Sequence, residues 1–305
     1  MSVCVRTVSL SLLLVGLLAL TTMISRAAES ACLIFPDDLA LAERTAHWQA
    51  QIEQLPLNNF IAWLTGVQPA PDEVLAESQR QMHCMLRAME TSLATPFVSE
   101  VVSSYRNFDH QKRIWERKFR FEGRPFDRIS SQILQSYPNL SAPQESSWDP
   151  GNPAHGVIWS QLRQWQRQLE ILQASSAPGL SRHHWGTDMD ILDSHLDPHH
   201  WLPDQQFYTH YSWLKSNAFK YGFFQPYSAA SGGYGRGYME ERWHWSYYPV
   251  AHSLRLQAQI HSDKIERYLH GLWAGDAAYS YVESHWKDYF FNTETMACCY
   301  EHKKP

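Results

Sequence analysis

The ten residues Ser181-Arg182-His183-His184-Trp185-Gly186-Thr187-Asp188-Met189-Asp190 combine two histidines, two aspartates and one glycine. His183 and Asp190 are seven positions apart. That spacing would separate their backbones by ~10 Å along a helix and by over ~20 Å along one strand. The two side chains can therefore share a metal ion only if the chain turns between them. Gly186 permits the backbone angles of such a turn, so the stretch predicts a turn with one ligand on either side.

A third ligand, His244, is expected from the later stretch Glu241-Arg242-Trp243-His244-Trp245. Catalytic zinc sites take nitrogen and oxygen ligands from three protein residues and keep one position open for water. His183, Asp190 and His244 meet this requirement if His244 lies on a separate strand, and we expect one Zn2+ ion there. Glu241 would then act as the general base toward the activated water without binding the metal itself.

Further polar residues accompany these candidate ligands. Arg106, in Ser103-Ser104-Tyr105-Arg106, is a permanent cation suited to an oxyanion, with a structural salt bridge as the alternative. Gln111 is equally consistent with an exposed position on a helix. His184 is expected at the surface or behind the ligands if its stretch is a strand. Glu240 competes with Glu241 as the base, and only the three-residue spacing to His244 favours the latter.

Apolar periodicity and turn residues predict an α+β fold. Residues 39–89 show helical spacing that is interrupted at Pro69-Ala70-Pro71-Asp72. Residues 181–248 instead contain short aromatic and apolar runs with many glycines, which is typical of short strands. Two further helices are expected over 254–272 and 279–291. The pattern therefore predicts helices outside a few short strands, with helical extensions at both ends.

Composition limits the classes of protein to which this chain can belong. The 305 residues are 44% hydrophobic and carry a formal net charge of −5. This apolar content is sufficient for a buried core and excludes a disordered chain. Because no concentrated positive field is present, we expect no nucleic-acid partner.

The N-terminus predicts export. Arg6 precedes an apolar run over 8–20, and Ser25-Arg26-Ala27 offers small residues at the −3 and −1 positions of a cleavage site. We therefore expect a signal peptide over 1–27 and a single domain over 28–305. An uncleaved anchor is the alternative, but the stretch 8–24 is at the short limit for a bilayer of ~30 Å. We expect a periplasmic or cell-envelope protein without stable membrane insertion after signal cleavage.

Four cysteines remain after that cleavage. An even number in an exported chain favours disulfides, and adjacent cysteines rarely bond to each other. We therefore expect Cys32 and Cys84 each to pair with one of Cys298 and Cys299, with the choice of partner open. Free thiols or a metal cluster are less favoured, because no Cys-x-x-Cys spacing occurs.

Together, the three polar stretches resemble the zinc D-alanyl-D-alanine carboxypeptidases. More narrowly, they resemble the vancomycin-resistance VanY-type branch of the LAS peptidase group. The resemblance rests on Ser-x-His-x-x-Gly-x-x-x-Asp, Glu-x-Trp-His and Ser-x-Tyr-Arg-x-x-x-x-Gln, and it covers residues 96–249. It implies a small antiparallel sheet that carries the zinc site, with helices packed behind it. Asp188 departs from the alanine often found in the family, and we expect this second carboxylate to support the ligands.

The resemblance also implies the role of each candidate residue. Zinc would be bound by His183, Asp190 and His244, with Glu241 as the base and Arg106 stabilising the transition state. The residues assigned to substrate binding are Ser103, Tyr105, Gln111 and Ser181.

The implied reaction removes the terminal D-alanine from peptidoglycan stem peptides by means of metal-activated water. The alternatives are an L,D-carboxypeptidase or a peptidoglycan endopeptidase on the same scaffold, or a non-catalytic cell-wall-binding module.

Overall fold

The computed structural model describes residues 32–94, 100–137, 140, 147–193 and 197–295. Within these ranges the chain is mostly helical and has a small antiparallel sheet, which confirms the predicted α+β class. The described residues from Ile34 onward belong to one compact unit. In the described residues, no helix has both the length and the apolar character needed to span a membrane.

Helices account for most of the described chain. The α-helices are α1 (Asp38–Glu53), α2 (Leu57–Leu64), α3 (Asp72–Leu93), α4 (Phe108–Phe119), α5 (Ser131–Ser136), α6 (Pro153–Gln161), α7 (Gln164–Ile171), α8 (Tyr208–Asn217), α9 (Tyr248–Ile260), α10 (Ser262–Trp273) and α11 (Ser280–Phe291). Short 3-10 helices cover Arg182–Trp185, Pro198–Trp201, Ala218–Tyr221 and Ala277–Tyr279. The strands are β1 (Val101–Ser103), β2 (Phe126–Arg128), β3 (Ser147–Trp148), β4 (Asp188–Ile191), β5 (Phe223–Phe224) and β6 (His244–Tyr247).

The central sheet has the strand order β1-β4-β6-β5, and every neighbouring pair is antiparallel. Its register places Asp190 of β4 opposite His244 of β6, and Ser103 of β1 opposite Asp190. Directly opposed residues project from the same face of a sheet. The register therefore brings residues from three distant segments to one place.

The turn predicted at Gly186 is present. The chain enters as the 3-10 helix Arg182–Trp185, reverses at Gly186 with φ 78°, and continues into β4. A Cβ atom at Gly186 would lie 2.7 Å from Leu75 and 2.9 Å from Ala70, so glycine is required for space as well as for angle. His184 therefore lies on a 3-10 helix and not on a strand.

The N-terminal helices are joined to the sheet through a buried carboxylate. Glu77 of α3 forms an ion pair with Arg44 of α1 and accepts hydrogen bonds from Tyr247 Oη at 2.7 Å and Trp48 Nε1 at 3.2 Å. Burial alone would raise the pKa of Glu77, but the hydrogen bonds from Arg44 and Tyr247 outweigh it and lower that pKa. These contacts connect the helical extension to the end of β6.

The disulfide prediction is supported at two of its four positions. Cys32 and Cys84 are both disulfide-bonded. Cys298 and Cys299 lie outside the described residues, as does the predicted signal peptide over 1–27. The pairing and the signal peptide therefore stay predictions.

Candidate metal centre and active site

His183, Asp190 and His244 come together as the predicted ligand set requires. One nitrogen or oxygen atom from each lies within 4.8 Å of the others, and all three residues are buried. His183 Nε2 is 3.3 Å from Asp190 Oδ2, and His244 Nδ1 is 3.0 Å from Asp190 Oδ1. Within the described residues, this is the group of histidines, cysteines and acids whose geometry could hold a metal ion.

Each imidazole is oriented by a hydrogen bond on the side away from this cluster. His183 Nδ1 lies 2.8 Å from the carbonyl oxygen of Ser104, and His244 Nε2 lies 2.9 Å from Asp188 Oδ1. A nitrogen that donates to such an acceptor leaves the other ring nitrogen as the lone-pair donor. The ring positions therefore leave Nε2 of His183 and Nδ1 of His244 facing the centre.

Asp188 lies behind His244, on the side opposite Asp190. Its Oδ1 also accepts from Arg182 Nε at 2.8 Å, and its Oδ2 accepts from the hydroxyls of Thr187 at 2.5 Å and Ser246 at 2.9 Å. Burial alone would raise the pKa of Asp188, but the charge of Arg182 and the bond with His244 hold it well below its usual range. Of the two aspartates, Asp190 is thus the one facing both imidazoles.

The cluster contains a carboxylate oxygen that accepts no hydrogen bond from the described residues and could therefore bind a metal ion. Asp190 Oδ1 is buried and has no hydrogen-bond partner, although His244 Nδ1 is near it. Burial alone would lower the pKa of His244, but the carboxylates of Asp188 and Asp190 raise it to about 9. Without a metal ion, His244 would therefore carry an extra proton in the place that a cation could occupy. Two imidazole nitrogens and one carboxylate oxygen are ligands that a divalent ion such as zinc accepts.

Glu241, and not Glu240, borders this cluster. Glu241 Oε2 is 3.4 Å from His244 Nδ1, and its backbone N–H donates to the carbonyl of Tyr227 at 3.0 Å. Burial raises the pKa of Glu241 to about 8, against the opposing charge of His244. Glu240 instead pairs with Arg242 at 3.1 Å and accepts from Tyr211 Oη at 3.3 Å. The three-residue spacing thus selected the glutamate next to the cluster.

The Arg106 side chain is close enough to the cluster for the charges of Asp190 and Glu241 to act on it. Burial lowers the pKa of Arg106, and the carboxylates of Asp190 and Glu241 oppose that shift. Its Nε is buried without a hydrogen-bond partner among the described residues. A structural salt bridge would satisfy this nitrogen. The unpaired Nε therefore favours the alternative role, in which Arg106 is available to bind a further ligand near the cluster.

The structure places the four residues expected to bind substrate in different surroundings. Ser103 is opposite Asp190 in the sheet, and Ser181 is buried directly before the 3-10 helix. Tyr105 lines a cavity of about 330 Å³ together with residues of the loop after α2. Gln111 is buried and donates to the Ser176 carbonyl at 2.6 Å, so the exposed helix position considered for it is wrong.

Two residues near the ligands escaped the sequence interpretation. Tyr227 packs its ring 4.7 Å from that of His244, and no local pattern around it indicates this contact. Arg182 lies inside the histidine-rich stretch, but its bond to Asp188 depends on the turn and could not be read from spacing. His184, expected at the surface or behind the ligands, is fully buried.

The fold and the cluster define a protein with a buried histidine–carboxylate group on a small antiparallel sheet. The family model VanY, described as D-alanyl-D-alanine carboxypeptidase, matches residues 73–250. This is more than half of the 305 residues. The chain therefore belongs to the VanY family and is a peptidase of that family. No curated protein matches its sequence.

Several solved structures are similar to this chain. An LdcB LD-carboxypeptidase shares 16% identity, with 66% of this chain and 76% of the other covered and a TM-score of 0.31. VanYB, solved with D-alanine-D-alanine, shares 17% identity over 62% of this chain and 80% of its own, with a TM-score of 0.31. A VanY D,D-pentapeptidase variant solved with Zn(II) shares 17% identity over 62% and 81%, with a TM-score of 0.30.

Proposed function

We propose that this protein is a zinc-dependent carboxypeptidase that removes the terminal D-alanine from peptidoglycan stem peptides. Membership of the VanY family supports the peptidase class and the stem-peptide substrate. The observation that carries the proposal is the buried group of two imidazoles and one carboxylate within 4.8 Å.

The residues present fit a single zinc ion. His183 and His244 would each contribute a ring nitrogen and Asp190 a carboxylate oxygen, the donor types that zinc takes in hydrolytic sites. Zinc held there would supply Lewis acidity, polarising the scissile carbonyl and making water nucleophilic near neutral pH.

Glu241 moves the proton in the proposed reaction. Its carboxylate accepts a proton from the attacking water and returns it to the nitrogen of the leaving D-alanine. Burial raises the pKa of Glu241 to about 8, which brings this carboxyl closer to the range of a group that must both take and give a proton. Arg106 offers its guanidinium N–H groups to the oxygen that becomes negative as the carbonyl is attacked.

Three alternative functions are consistent with parts of the same site. An L,D-carboxypeptidase or an endopeptidase would use the same chemistry on a different bond of the stem peptide. A non-catalytic wall-binding module is disfavoured, because Glu241 and Arg106 both lie next to the cluster. Action on peptidoglycan agrees with the predicted signal peptide and with a periplasmic or cell-envelope location.

Defined muropeptides with and without a chelator test the proposal. Mass spectrometry should show the loss of one alanine from a pentapeptide stem, and chelation should abolish it. Cleavage of cross-linked dimers would instead indicate an endopeptidase, and loss of D-alanine only from tetrapeptides an L,D-carboxypeptidase.

Variants of the two neighbouring glutamates test in this assay whether Glu241 is the base. Glu241→Gln should bind zinc and lose turnover by about 100-fold or more, since general acid–base catalysis contributes about 10²–10⁴-fold. Glu240→Gln is the matched control, because that side chain pairs with Arg242 away from the cluster. Full activity of Glu241→Gln would exclude it as the base.

A further inference from the structure

His184 is a buried histidine adjacent to a candidate ligand, yet it faces away from the cluster. Its Nδ1 lies 2.6 Å from the carbonyl oxygen of Arg106, and its Nε2 accepts the backbone N–H of Gly179 at 3.1 Å. A ring that accepts at Nε2 must carry its proton on Nδ1, so Nδ1 donates to Arg106. The neutral imidazole thus connects Arg106 to a turn in front of the metal-binding stretch.

The Arg106 backbone is therefore held at both ends by adjacent residues. Its N–H donates to the carbonyl of His183 at 3.2 Å, and its C=O accepts from His184. These two bonds fix the main chain of Arg106, and so the point from which its side chain starts, relative to the 3-10 helix that carries His183.

A segment of the N-terminal extension closes over the His184 ring. Gly66, at φ +76°, lies so near that a Cβ atom there would be 2.4 Å from His184 Nδ1. Its carbonyl accepts the Phe108 N–H at 2.8 Å, two residues after Arg106. Trp63 Nε1 donates to the Trp185 carbonyl at 3.2 Å. The turn after α2 thus contacts both the arginine segment and the metal-binding stretch.

We propose that His184 is a positioning residue that fixes Arg106, and that the turn at Gly66 holds His184 in place. The inference rests on the proposed role of Arg106 in catalysis. Gly66 lies outside residues 73–250, which the family model matches. The helical extension is in this sense a working part of the active site, because the shape of its turn sets the place of a catalytic cation.

The structure predicts which kinetic constant depends on this contact. A misplacement of about 1 Å in a catalytic group costs on the order of 10²-fold in rate. Arg106 is proposed to act on charge that develops during the reaction, so its displacement should lower kcat and change KM little. Zinc affinity should not change, because His184 does not face the cluster.

Two glycine substitutions with matched backbone strain test the role of Gly66. Gly66→Ala and Gly275→Ala both place a side chain at a positive φ, +76° and +77° respectively. Only the first meets an atom, because nothing lies within 4 Å of a Cβ at Gly275. Gly66→Ala should lower kcat about 10- to 100-fold relative to Gly275→Ala, with zinc affinity equal in both. Equal kcat values would overturn the proposal.

A second pair of variants tests His184 itself. His184→Asn keeps an N–H donor near the place of Nδ1, whereas His184→Leu removes it. The asparagine variant should retain at least ten times the kcat of the leucine variant, with zinc affinity unchanged in both. A role limited to folding would lower the melting temperature of both variants and leave kcat of the folded protein alike, which contradicts the proposal.

A measurement without turnover separates this proposal from the proposed function. NMR of the nitrogen-labelled zinc protein at pH 7 reports the His184 Nδ1–H and the Arg106 amide. Both resonances should shift in Gly66→Ala and stay in place in Gly275→Ala, and unshifted resonances in Gly66→Ala would refute the contact. If the wild-type protein released no D-alanine while these shifts occurred, the proposed function would fail and the positioning contact would stand.

Discussion

Asp188 gives the sharpest test of how this chain builds its candidate metal centre. Asp188→Asn keeps the shape of the side chain and removes its charge. The hydroxyls of Thr187 and Ser246, which donate to Oδ2, can rotate to accept from the new amide. The substitution therefore changes mainly the charge that faces Arg182 and His244.

The expected loss follows from the His244 hydrogen bond. The Nε2–H of His244 now donates to an ionised oxygen at 2.9 Å, and such bonds are roughly twice as strong as neutral ones. A weaker hydrogen bond from His244 to residue 188 should cost about 1–1.5 kcal/mol of zinc-binding free energy. This corresponds to about tenfold weaker zinc binding, at the lower end of the 10–100-fold range seen when a hydrogen-bond partner of a metal ligand is changed. The buried Arg182 cation also loses its counter-charge, which should lower the free energy of unfolding by up to about 3 kcal/mol.

A zinc titration in competition with a chromophoric chelator measures the affinity, at a temperature where the variant is folded. Asp193→Asn is the control, because Asp193 pairs with His200 Nδ1 at 2.8 Å outside the three candidate ligands. That variant should change stability without changing zinc affinity. If Asp188→Asn bound zinc as tightly as the wild type, or if both variants lost affinity equally, the role assigned to Asp188 would be refuted.

Three further outcomes are expected. Arg106→Lys should lower kcat about 100-fold in steady-state kinetics at unchanged zinc affinity, because an ammonium lacks the guanidinium fork. Zinc binding at pH 7 should release protons, which calorimetry in buffers of different ionisation enthalpy detects, and it should strengthen as pH rises. The reason is that His244, with a pKa of about 9, must be neutral to bind the metal. Zinc binding that did not depend on pH would contradict this. Glu77→Gln should lower the free energy of unfolding by about 3 kcal/mol at pH 7. Because the pKa of Glu77 is lowered in the folded protein, the difference in unfolding free energy between the variant and the wild type should vanish as pH falls through that pKa, as acid denaturation profiles would show.

The candidate ligands could be read from the sequence because they require only residue types and spacing. His183 and Asp190 needed a turn, and Gly186 between them supplied it. The fold class followed from helical periodicity at both ends and from short strands between them. Gln111 could not be placed, because the helix position alone does not say which neighbour covers it, and the Ser176 carbonyl does so from a distant segment.

By itself, the sequence determined the chemistry available to this protein, because it supplies two imidazoles, one carboxylate, a neighbouring glutamate and an arginine in an order that resembles the zinc D-alanyl-D-alanine carboxypeptidases. The tertiary structure alone decided which ring nitrogen faces the centre, that Asp188 lies behind His244, and that Gly66 covers His184. The reason is physical. Hydrogen-bond direction and close backbone approach depend on how distant segments pack, as between Trp63 and Trp185, 122 positions apart, and local spacing carries no information about that packing.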